Sequence, residues 1–321
     1  MMSQSISNLS VGDKVKFGSI YGEPIIWQIG AKNHIGYPSN SLTLVSEKII
    51  KIMAFDAKEP SNSNSDRQNY GNNRYLHSNL RQWLNSDKAG GAWYEAQHSA
   101  DAPPNSGAVS YNPYTSLPGF LNAFTADEKN AILSTTLTVA RNTVTDGGGS
   151  ETVADGVFLL SNTEVGLANE NSIAEGSLLS LFSTSSNRIT QPTAAAVSNS
   201  DYTNSSLSAS QAWYWWPRTP RADSSRYVRS VSSDGALKSS SAYNGNLGLR
   251  PALNLPSDLL ISDTTDSDGC YTVIWGSPSP NISVNIGGVW KNYSEGHVKI
   301  DGVWRPIASI YTKIDGTWKQ A

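Results

Sequence analysis

Side chains suited to non-covalent recognition are concentrated between residues 213 and 246. Tyrosine provides contact area at low entropic cost, serine and asparagine form adaptable hydrogen bonds, and arginine gives a contact direction. An aromatic run at 213–216 precedes the polar part of this segment, and an apolar strand at 248–253 closes it. We therefore predict a binding surface here rather than a catalytic centre. The predicted ligand-binding residues are Tyr214, Arg218, Arg221, Ser225, Arg226, Tyr227, Arg229, Ser239, Ser241, Tyr243, Asn244 and Asn246.

The large residues at the two ends of this segment have a different expected role. We interpret Trp215 and Trp216 as framework of the fold, and Arg250 as a buried arginine that forms hydrogen bonds. Arg218 is balanced between framework and ligand contact. A solvated polar face remains the alternative interpretation of the predicted binding residues.

Side chains for covalent or metal-assisted catalysis are scattered along the chain. The single cysteine, Cys270, excludes an internal disulfide framework and a cysteine-based zinc site. The four histidines form neither an HExxH motif nor a pair at helical spacing, and no GxSxG elbow is present. We predict no catalytic residue, metal ligand or cofactor. A carboxylate pair for glycoside hydrolysis stays open, because a sequence does not show how far apart acidic groups lie.

Two turns resemble ligand-binding loops but lack residues that such loops need. The glycines at 146–150 have neither the lysine nor the strand–helix context of a phosphate loop, so we interpret them as a flexible surface turn. Asp263, Asp266 and Asp268 alternate as calcium ligands do. Without the glycine and glutamate of the calcium loop, they indicate a solvated turn.

Bulk composition excludes several classes of partner. With 321 residues, a formal net charge of −3 and 16% charged residues, the chain shows no electrostatic footprint for nucleic acid. No apolar run approaches the roughly 20 residues that span a bilayer, and the polar N-terminus is unlike a secretion signal. We expect synthesis in a cytoplasm and no membrane insertion; assembly into a virus particle and release by lysis is one route that fits.

Strand, helix and turn patterns predict an α+β domain over residues 1–276. Alternating residues indicate an antiparallel opening sheet, with strands at 11–17, 24–29 and 41–45. Helices are predicted at 76–84, from the N-cap Thr125 with Glu128 in a capping box, and from Thr163 after a strand at 157–161. Asp234-Gly235 indicates a hairpin, and a last strand at 270–275 is expected beside the N-terminal strand.

The C-terminal part is a repeat with a period of fourteen residues. Trp290, Trp304 and Trp318 are equivalent positions in three strand–turn–strand units. We predict a linker at 277–283 and a small all-β segment at 284–321. Because about 38 residues cannot bury a sizeable core alone, this segment is expected to form a homo-oligomer, with a trimer favoured, or to attach to other proteins.

The order of motifs across residues 8–276 resembles that of proteins with the C-type-lectin-like fold. The resemblance rests on Trp27, the segments 78–85 and 155–161, Glu164, the Trp-Trp-x-Arg run at 215–218 and the strand 248–253. That group includes formylglycine-generating enzymes and the variable ligand-binding proteins of diversity-generating retroelements. Within it, the chain resembles an uncharacterised domain of gut-bacterial and phage proteins. The C-terminal repeats resemble segments of phage tail proteins.

The resemblance implies a C-type-lectin-like fold with mixed antiparallel sheets and two or more helices. Oxidases of the group hold copper with two cysteines, which Cys270 alone does not supply. Two departures are Pro217 in the Trp-Trp-x-Arg turn and the roughly seventy residues after the 248–253 strand. In the variable proteins this strand lies near the chain end.

Composition and resemblance together predict a phage tail receptor-binding protein or adhesin. Its expected ligand is a bacterial cell-surface glycan or protein, and its expected location is the virion, with the bacterial cell surface as the alternative. Two other functions stay open: a glycan-hydrolysing or glycan-modifying enzyme of the particle, and a purely structural virion protein.

Overall fold

The computed structural model describes residues 3–275 in full, and of the C-terminal part it describes the backbone of six strands. By its internal contacts the chain separates into two units, Met1–Val273 and Ile274–Ala321. The first unit contains both strands and helices, so the predicted α+β class is confirmed. Among the described residues, no helix is long and apolar enough to cross a bilayer.

Strands dominate the regular structure of the first unit. In chain order they are β1 (Ser3–Ser5), β2 (Lys14–Ile20), β3 (Glu23–Lys32), β4 (Ser41–Ser46), β5 (Lys51–Ile52), β6 (Thr135–Ala140), β7 (Ser150–Asp155), β8 (Val157–Leu159), β9 (Tyr227–Val231), β10 (Leu237–Ser241), β11 (Gly248–Leu249), β12 (Pro251–Pro256), β13 (Leu260–Ser262) and β14 (Cys270–Thr272).

Six of these strands form the main sheet, in the order β14-β2-β3-β4-β12-β8. β14 is parallel to β2, and the other neighbours are antiparallel. The predicted opening sheet and the strand that closes the domain beside it are thus confirmed. The remaining strands pair in twos: β1 with β13, β5 with β11, β6 with β7 and β9 with β10.

The core lies on both faces of the main sheet. Every residue of β4 is buried, and so are the first five of β12, as expected for central strands covered on both sides. Trp27 of β3 is fully buried, and its indole Nε1 donates to the carbonyl of Phe17 at 2.7 Å. The ring therefore joins two neighbouring strands while it fills the core.

The helices are short and lie at the surface of the sheets. They are α1 (Ser65–Tyr70), α2 (Asn79–Leu84), α3 (Ala126–Ala131) and α4 (Ala194–Ser198). Single 3-10 turns lie at Ile6–Asn8, Tyr75–His77, Phe120–Ala123, Ser180–Ser183 and Ser185–Arg188.

Local capping decides where the predicted helices begin. The capping box of Thr125 and Glu128 is present at the start of α3, as predicted. The helix predicted at 76–84 is shorter than expected, because the Ser78 side chain accepts from Arg81 N and caps α2 there. The helix predicted from Thr163 is wrong. Only one turn forms, because Gly166 adopts a positive φ of 72° and ends it.

The C-terminal unit consists, in its described backbone, of three antiparallel strand pairs. They are β15 (Ile282–Ile286) with β16 (Val289–Tyr293), β17 (His297–Ile300) with β18 (Val303–Pro306), and β19 (Tyr311–Ile314) with β20 (Thr317–Gln320). Trp290, Trp304 and Trp318 occupy equivalent register positions, each in the second strand of its pair. The repeated strand pairs are therefore confirmed. The turns at 287–288, 301–302 and 315–316 lie outside the described residues, and so does the predicted linker 277–283 apart from its last two residues, which belong to β15.

Candidate functional site

The hairpin of β9 and β10 provides the outward face of the predicted binding segment. Asp234-Gly235 forms its turn, as predicted, and the two strands pair in antiparallel register. Tyr227 and Arg229 are half-buried, whereas Val228 and Ser230 of the opposite face are fully buried. The strand alternation therefore presents one tyrosine and one arginine outward while it anchors the hairpin in the core.

Two tryptophans lie beneath the hairpin and hold it to the domain. Trp215 exchanges two backbone hydrogen bonds of 3.0 Å with Val231 of β9, whose side chain is fully buried. Trp216 Nε1 donates to the carbonyl of Met53 at 2.9 Å. Both indoles are fully buried. The interpretation of Trp215 and Trp216 as framework is confirmed.

A cluster of cations and aromatic rings lies at the start of β9. The guanidinium carbon of Arg226 lies 4.1 Å from the ring centre of Tyr70 and 4.6 Å from that of Tyr227. Tyr70 in turn contacts Tyr243 edge-to-face, with 5.5 Å between ring centres. Lys58 Nζ lies 5.3 Å from the Tyr243 ring. These cation–aromatic contacts hold the side chains in place before any ligand arrives.

Arg221 extends the same group, with its guanidinium carbon 5.6 Å from the Tyr227 ring. All the members are half-buried, so each has both a packed and an accessible side. We call this group the Arg226 cluster: Lys58, Tyr70, Arg221, Arg226, Tyr227 and Tyr243.

The two arginines of the Arg226 cluster are paired with acidic side chains that are exposed to solvent. Arg221 Nε donates to Asp223 at 2.6 Å, and Arg226 Nη1 lies 3.4 Å from Asp66. The hydrogen bonds from Arg221 lower the pKa of Asp223 below its ordinary range. The Asp223 and Asp66 side chains are 68% and 48% exposed, so these pairs are weak. A polar ligand can therefore compete for the guanidinium donors.

A buried amide network fixes the backbone of residues 221–227. Asn73 Nδ2 donates to the carbonyls of Ser224 at 2.7 Å and Tyr227 at 2.9 Å. Its Oδ1 accepts from Asn142, which also donates to Asp146 at 2.6 Å. Because Asn73 and Asn142 are completely buried, these bonds are shielded from water.

The glycine-rich turn at 146–150 is part of this network rather than a free surface turn. The Asp146 side chain is only 3% exposed and lies 2.7 Å from Arg67 Nη2. Arg67 also reaches the carbonyl of Ser225, whose hydroxyl donates to Asn64 at 2.9 Å. The prediction of a flexible turn is therefore wrong at Asp146, because this carboxylate anchors the binding segment from below.

A second group of aromatic residues lies at the other end of the segment. Ring centres are 4.8 Å apart between Tyr111 and Tyr202, 6.3 Å between Tyr202 and Trp213, and 5.9 Å between Trp213 and Tyr214. Tyr111 is 41% exposed and Tyr214 37% exposed. We call these four residues the aromatic row. The exposed rings of Tyr111 and Tyr214 offer apolar surface with a hydroxyl group at the edge of each ring.

Residues 243–246 connect the Arg226 cluster to the aromatic row. Asn112 Nδ2 donates to the carbonyl of Gly245 at 2.7 Å, and Trp213 Nε1 donates to that of Asn246 at 2.8 Å. Gly245 passes so close to Tyr111 that a Cβ atom there would lie 1.8 Å from the Tyr111 carbonyl oxygen. The position of this connecting segment therefore depends on the close approach of Gly245 to the Tyr111 backbone.

Gly245→Ala is expected to destabilise the domain by about 1–3 kcal/mol, because a backbone atom, not a flexible side chain, blocks the new methyl group. Urea unfolding followed by tryptophan fluorescence measures the change. Gly156→Ala is the matched control, since its Cβ would meet only side-chain atoms, a methyl of Ile132 at 3.1 Å and Asn85 Oδ1 at 3.6 Å. An equal loss of unfolding free energy in both variants would contradict the close backbone contact at Gly245.

A protein-family model matches residues 40–257, which is more than half of the chain. The family is described as a domain of unknown function, DUF6273. The chain belongs to this family. The matched range contains the whole Arg226 cluster and the whole aromatic row. No match is found among curated proteins or among solved structures.

The DUF6273 domain leaves nine of the twelve predicted binding residues at least partly exposed. Ser239 lies opposite Arg229 in the hairpin, and Asn244 and Asn246 lie in the connecting segment. Arg229 is less available than predicted, because its guanidinium is paired with Glu170. The remaining exposed residues are those of the Arg226 cluster and the aromatic row: Tyr214, Arg221, Arg226, Tyr227 and Tyr243.

Three predicted binding residues are buried inside the DUF6273 domain, and these assignments are corrected. Arg218 and Glu164 are completely buried, and Arg218 Nη1 lies 2.7 Å from the Glu164 carboxylate. Ser225 is 1% exposed, because its hydroxyl and carbonyl are both used by the network beneath the segment. Ser241 is 8% exposed, because the chain turns back over it and Asn244 N donates to its carbonyl.

Five residues of the surface come from outside the predicted segment. Their only sequence signal is that tyrosine, lysine and aspartate occur in loops rich in asparagine, serine and proline, where exposure is expected. Nothing local links these loops to the β9–β10 hairpin. The residues that sequence reasoning missed are Lys58, Asp66, Tyr70, Tyr111 and Tyr202.

Titratable groups also gather around Asp56, a buried residue whose backbone N–H donates to the carbonyl of Ala242. Burial raises the pKa of Asp56 well above its ordinary value, and the nearby charges of Glu59 and Asp101 raise it further. Asp56 accepts from Asn79 N at 3.0 Å, and Asn79 Nδ2 donates to Asp101 at 3.2 Å. His98 Nε2 lies 2.8 Å from Glu59. Because neighbouring amides occupy these carboxylates, the group is a structural network.

The acidic turn near the end of the first unit also has an internal partner. Lys16 Nζ lies 2.7 Å from Asp266 and 2.5 Å from Asp268, so a lysine supplies the positive charge there. Within the described part of the DUF6273 chain, no group of three or more histidine, cysteine or acidic residues is placed to hold a metal ion.

Proposed function

We propose that this protein is a non-covalent receptor-binding protein or adhesin, of the type carried by phage tails. The observation that supports the proposal is the Arg226 cluster, where cations and tyrosines are packed against each other yet half exposed. Tyrosine and arginine are the residues that most often dominate binding energies at interfaces. Their fixed positions reduce the entropy that is lost when a ligand binds.

The ligand that this surface suits best is a bacterial cell-surface glycan, with a surface protein as the alternative. Aromatic rings of the row offer flat apolar faces for sugar rings, and the arginines and asparagines supply hydrogen-bond donors to hydroxyl or acidic groups. Together with the motif order, these features support a C-type-lectin-like fold for residues 1–276. A buried framework beneath a polar surface, as expected for the variable ligand-binding proteins of that fold, supports this proposal.

The C-terminal repeats extend the proposal to the assembled particle. Three short strand pairs are too small to be stable alone, so their association in a homo-oligomer or with other tail proteins supplies the missing burial. Several copies of a weak binding surface on one particle raise the effective concentration of the second and later contacts. Avidity of this kind would allow host attachment without a tight individual site.

The test compares binding and turnover on the same ligands. Purified wild-type protein and the Tyr227→Ala/Tyr243→Ala variant are applied to immobilised bacterial polysaccharides and to whole cells. We expect wild-type binding, at least a tenfold loss in the variant, and nearly unchanged thermal unfolding. Arg229 is left in place, because its removal would leave the buried Glu170 carboxylate without its positively charged partner. Full binding by the variant would refute the surface, and release of new reducing ends would favour the enzyme.

A further inference from the structure

A separate cavity of about 250 Å³ is lined by residues of the β2–β3 connection, of β5, of α2 and of the segment 117–123. Its walls are mainly apolar and aromatic. They include Ile20, Trp83, Leu117, Pro118 and Phe120. A cavity of roughly 150 Å³ is large enough for a benzene ring, so this one has room for a small ring with a substituent.

A single cationic side chain lines this apolar cavity. Lys51 is only 4% exposed, and its Nζ donates to the Tyr21 hydroxyl at 2.9 Å. The same Nζ lies 5.9 Å from the ring centre of Trp83. Within the described residues, no carboxylate lies within 4 Å of Lys51 Nζ, although the charge of Asp201 acts on it from farther away.

A buried ammonium without a close counterion is unfavourable. Burial lowers the pKa of Lys51 from 10.5 to about 8, and the more distant Asp201 offsets only part of this effect. Lys51 nevertheless remains mostly protonated at neutral pH. An anion that entered the cavity would supply the missing partner in a low-dielectric environment, where such a contact is strong.

The surrounding groups restrict what kind of anion fits. The Tyr21 hydroxyl accepts from Lys51, so its own hydrogen is left to donate to a ligand. Burial raises the pKa of Tyr21 to about 12, which keeps this hydroxyl neutral. Two donors suit one carboxylate, whereas a phosphate dianion needs more donors than this apolar lining offers. The apolar walls suit an aromatic or branched aliphatic body.

We propose that the cavity between Tyr21, Lys51 and Trp83 binds a small aromatic or branched aliphatic monocarboxylate, with Lys51 and Tyr21 holding the carboxylate. This site is distinct from the Arg226 cluster and the aromatic row, with which it shares no residue. It gives the domain a second, small-molecule ligand besides the proposed surface receptor.

The probe is 4-fluorobenzoate, whose binding to the full chain is followed by ¹⁹F NMR, with 4-fluorobenzyl alcohol as the uncharged control ligand. We expect a Kd on the order of 1 mM for the carboxylate and at least tenfold weaker binding of the alcohol. Lys51→Met should weaken 4-fluorobenzoate binding at least tenfold but leave the alcohol unaffected. Tyr21→Phe should weaken carboxylate binding severalfold, and it keeps the test valid if Lys51→Met does not fold.

The pH dependence separates this site from non-specific binding of the ring. Because only the protonated amine holds the carboxylate, affinity should fall about tenfold between pH 7 and pH 9, across the Lys51 pKa of about 8. The alcohol should show no such change. The proposal is wrong if 4-fluorobenzoate does not bind at pH 7, or if it binds equally well to Lys51→Met, or if its affinity is the same at both pH values.

Discussion

Replacing Arg218 with methionine is expected to lower the free energy of unfolding by about 3–5 kcal/mol, because it leaves the buried Glu164 carboxylate without its positively charged partner. Neither side chain has any exposed surface. Arg218 also donates to the carbonyls of Leu159 at 2.8 Å and Glu175 at 3.0 Å. Burial alone lowers the pKa of Arg218, but the charge and hydrogen bonds of Glu164 raise it above its ordinary value. The guanidinium is thus charged at every accessible pH.

Urea denaturation of the two variants Arg218→Met and Arg221→Met provides the measurement and its control. Arg221 also has an acidic partner, Asp223, but the two side chains are 37% and 68% exposed. Its replacement is expected to change stability by no more than about 1 kcal/mol. The central role of the buried pair would be refuted if both variants lost the same small amount. Arg218→Met/Glu164→Leu should recover part of the loss, since an apolar pair can replace a buried ion pair.

Replacing Arg226 with alanine is expected to weaken ligand binding about 30-fold, or about 2 kcal/mol, the effect of an interface hot spot. The substitution removes the guanidinium that lies between the rings of Tyr70 and Tyr227. It also releases these rings from their packed positions, so the ligand must order them on binding. The Arg226 ion pair with Asp66 contributes no more than about 1 kcal/mol to stability, because the Asp66 side chain is 48% exposed.

Biolayer interferometry on the polysaccharide that binds wild-type protein measures this loss. Arg226→Lys keeps the charge but not the planar stacking, so we expect it to restore only a minor part of the affinity. Lys238→Ala is the matched control. It removes an exposed cation from the same hairpin, at a position that pairs with Ser230 rather than with a member of the Arg226 cluster. Equal weakening by Lys238→Ala would indicate a general effect of charge and contradict the assigned role of Arg226.

These two substitutions distinguish residues that stabilise the binding segment from residues that contact the ligand. Arg218 is expected to affect folding and Arg226 to affect binding, although the two residues are only eight positions apart. The difference follows from what each guanidinium contacts, since one is enclosed by Glu164 and backbone carbonyls and the other lies between half-exposed tyrosine rings.

Local patterns were sufficient for much of the fold. Alternating residues identified β2, β3 and β4, and Asp234-Gly235 identified the hairpin, because side-chain period and turn conformation depend on neighbours in sequence. The capping box at Thr125 and Glu128 was predicted for the same reason. Local patterns failed after β8, where Gly166 ended the predicted helix after one turn.

The sequence by itself determined the α+β class, the opening sheet, the repeated C-terminal strand pairs and the segment that carries most of the candidate surface. Only the tertiary structure decided which polar residues of that segment are accessible. It buried Arg218 against Glu164 and brought Tyr70 and Tyr111 to the surface beside residues more than one hundred positions away. The physical reason is that strand period and turn type depend on adjacent residues, whereas burial and charge pairing depend on contacts between distant parts of the chain.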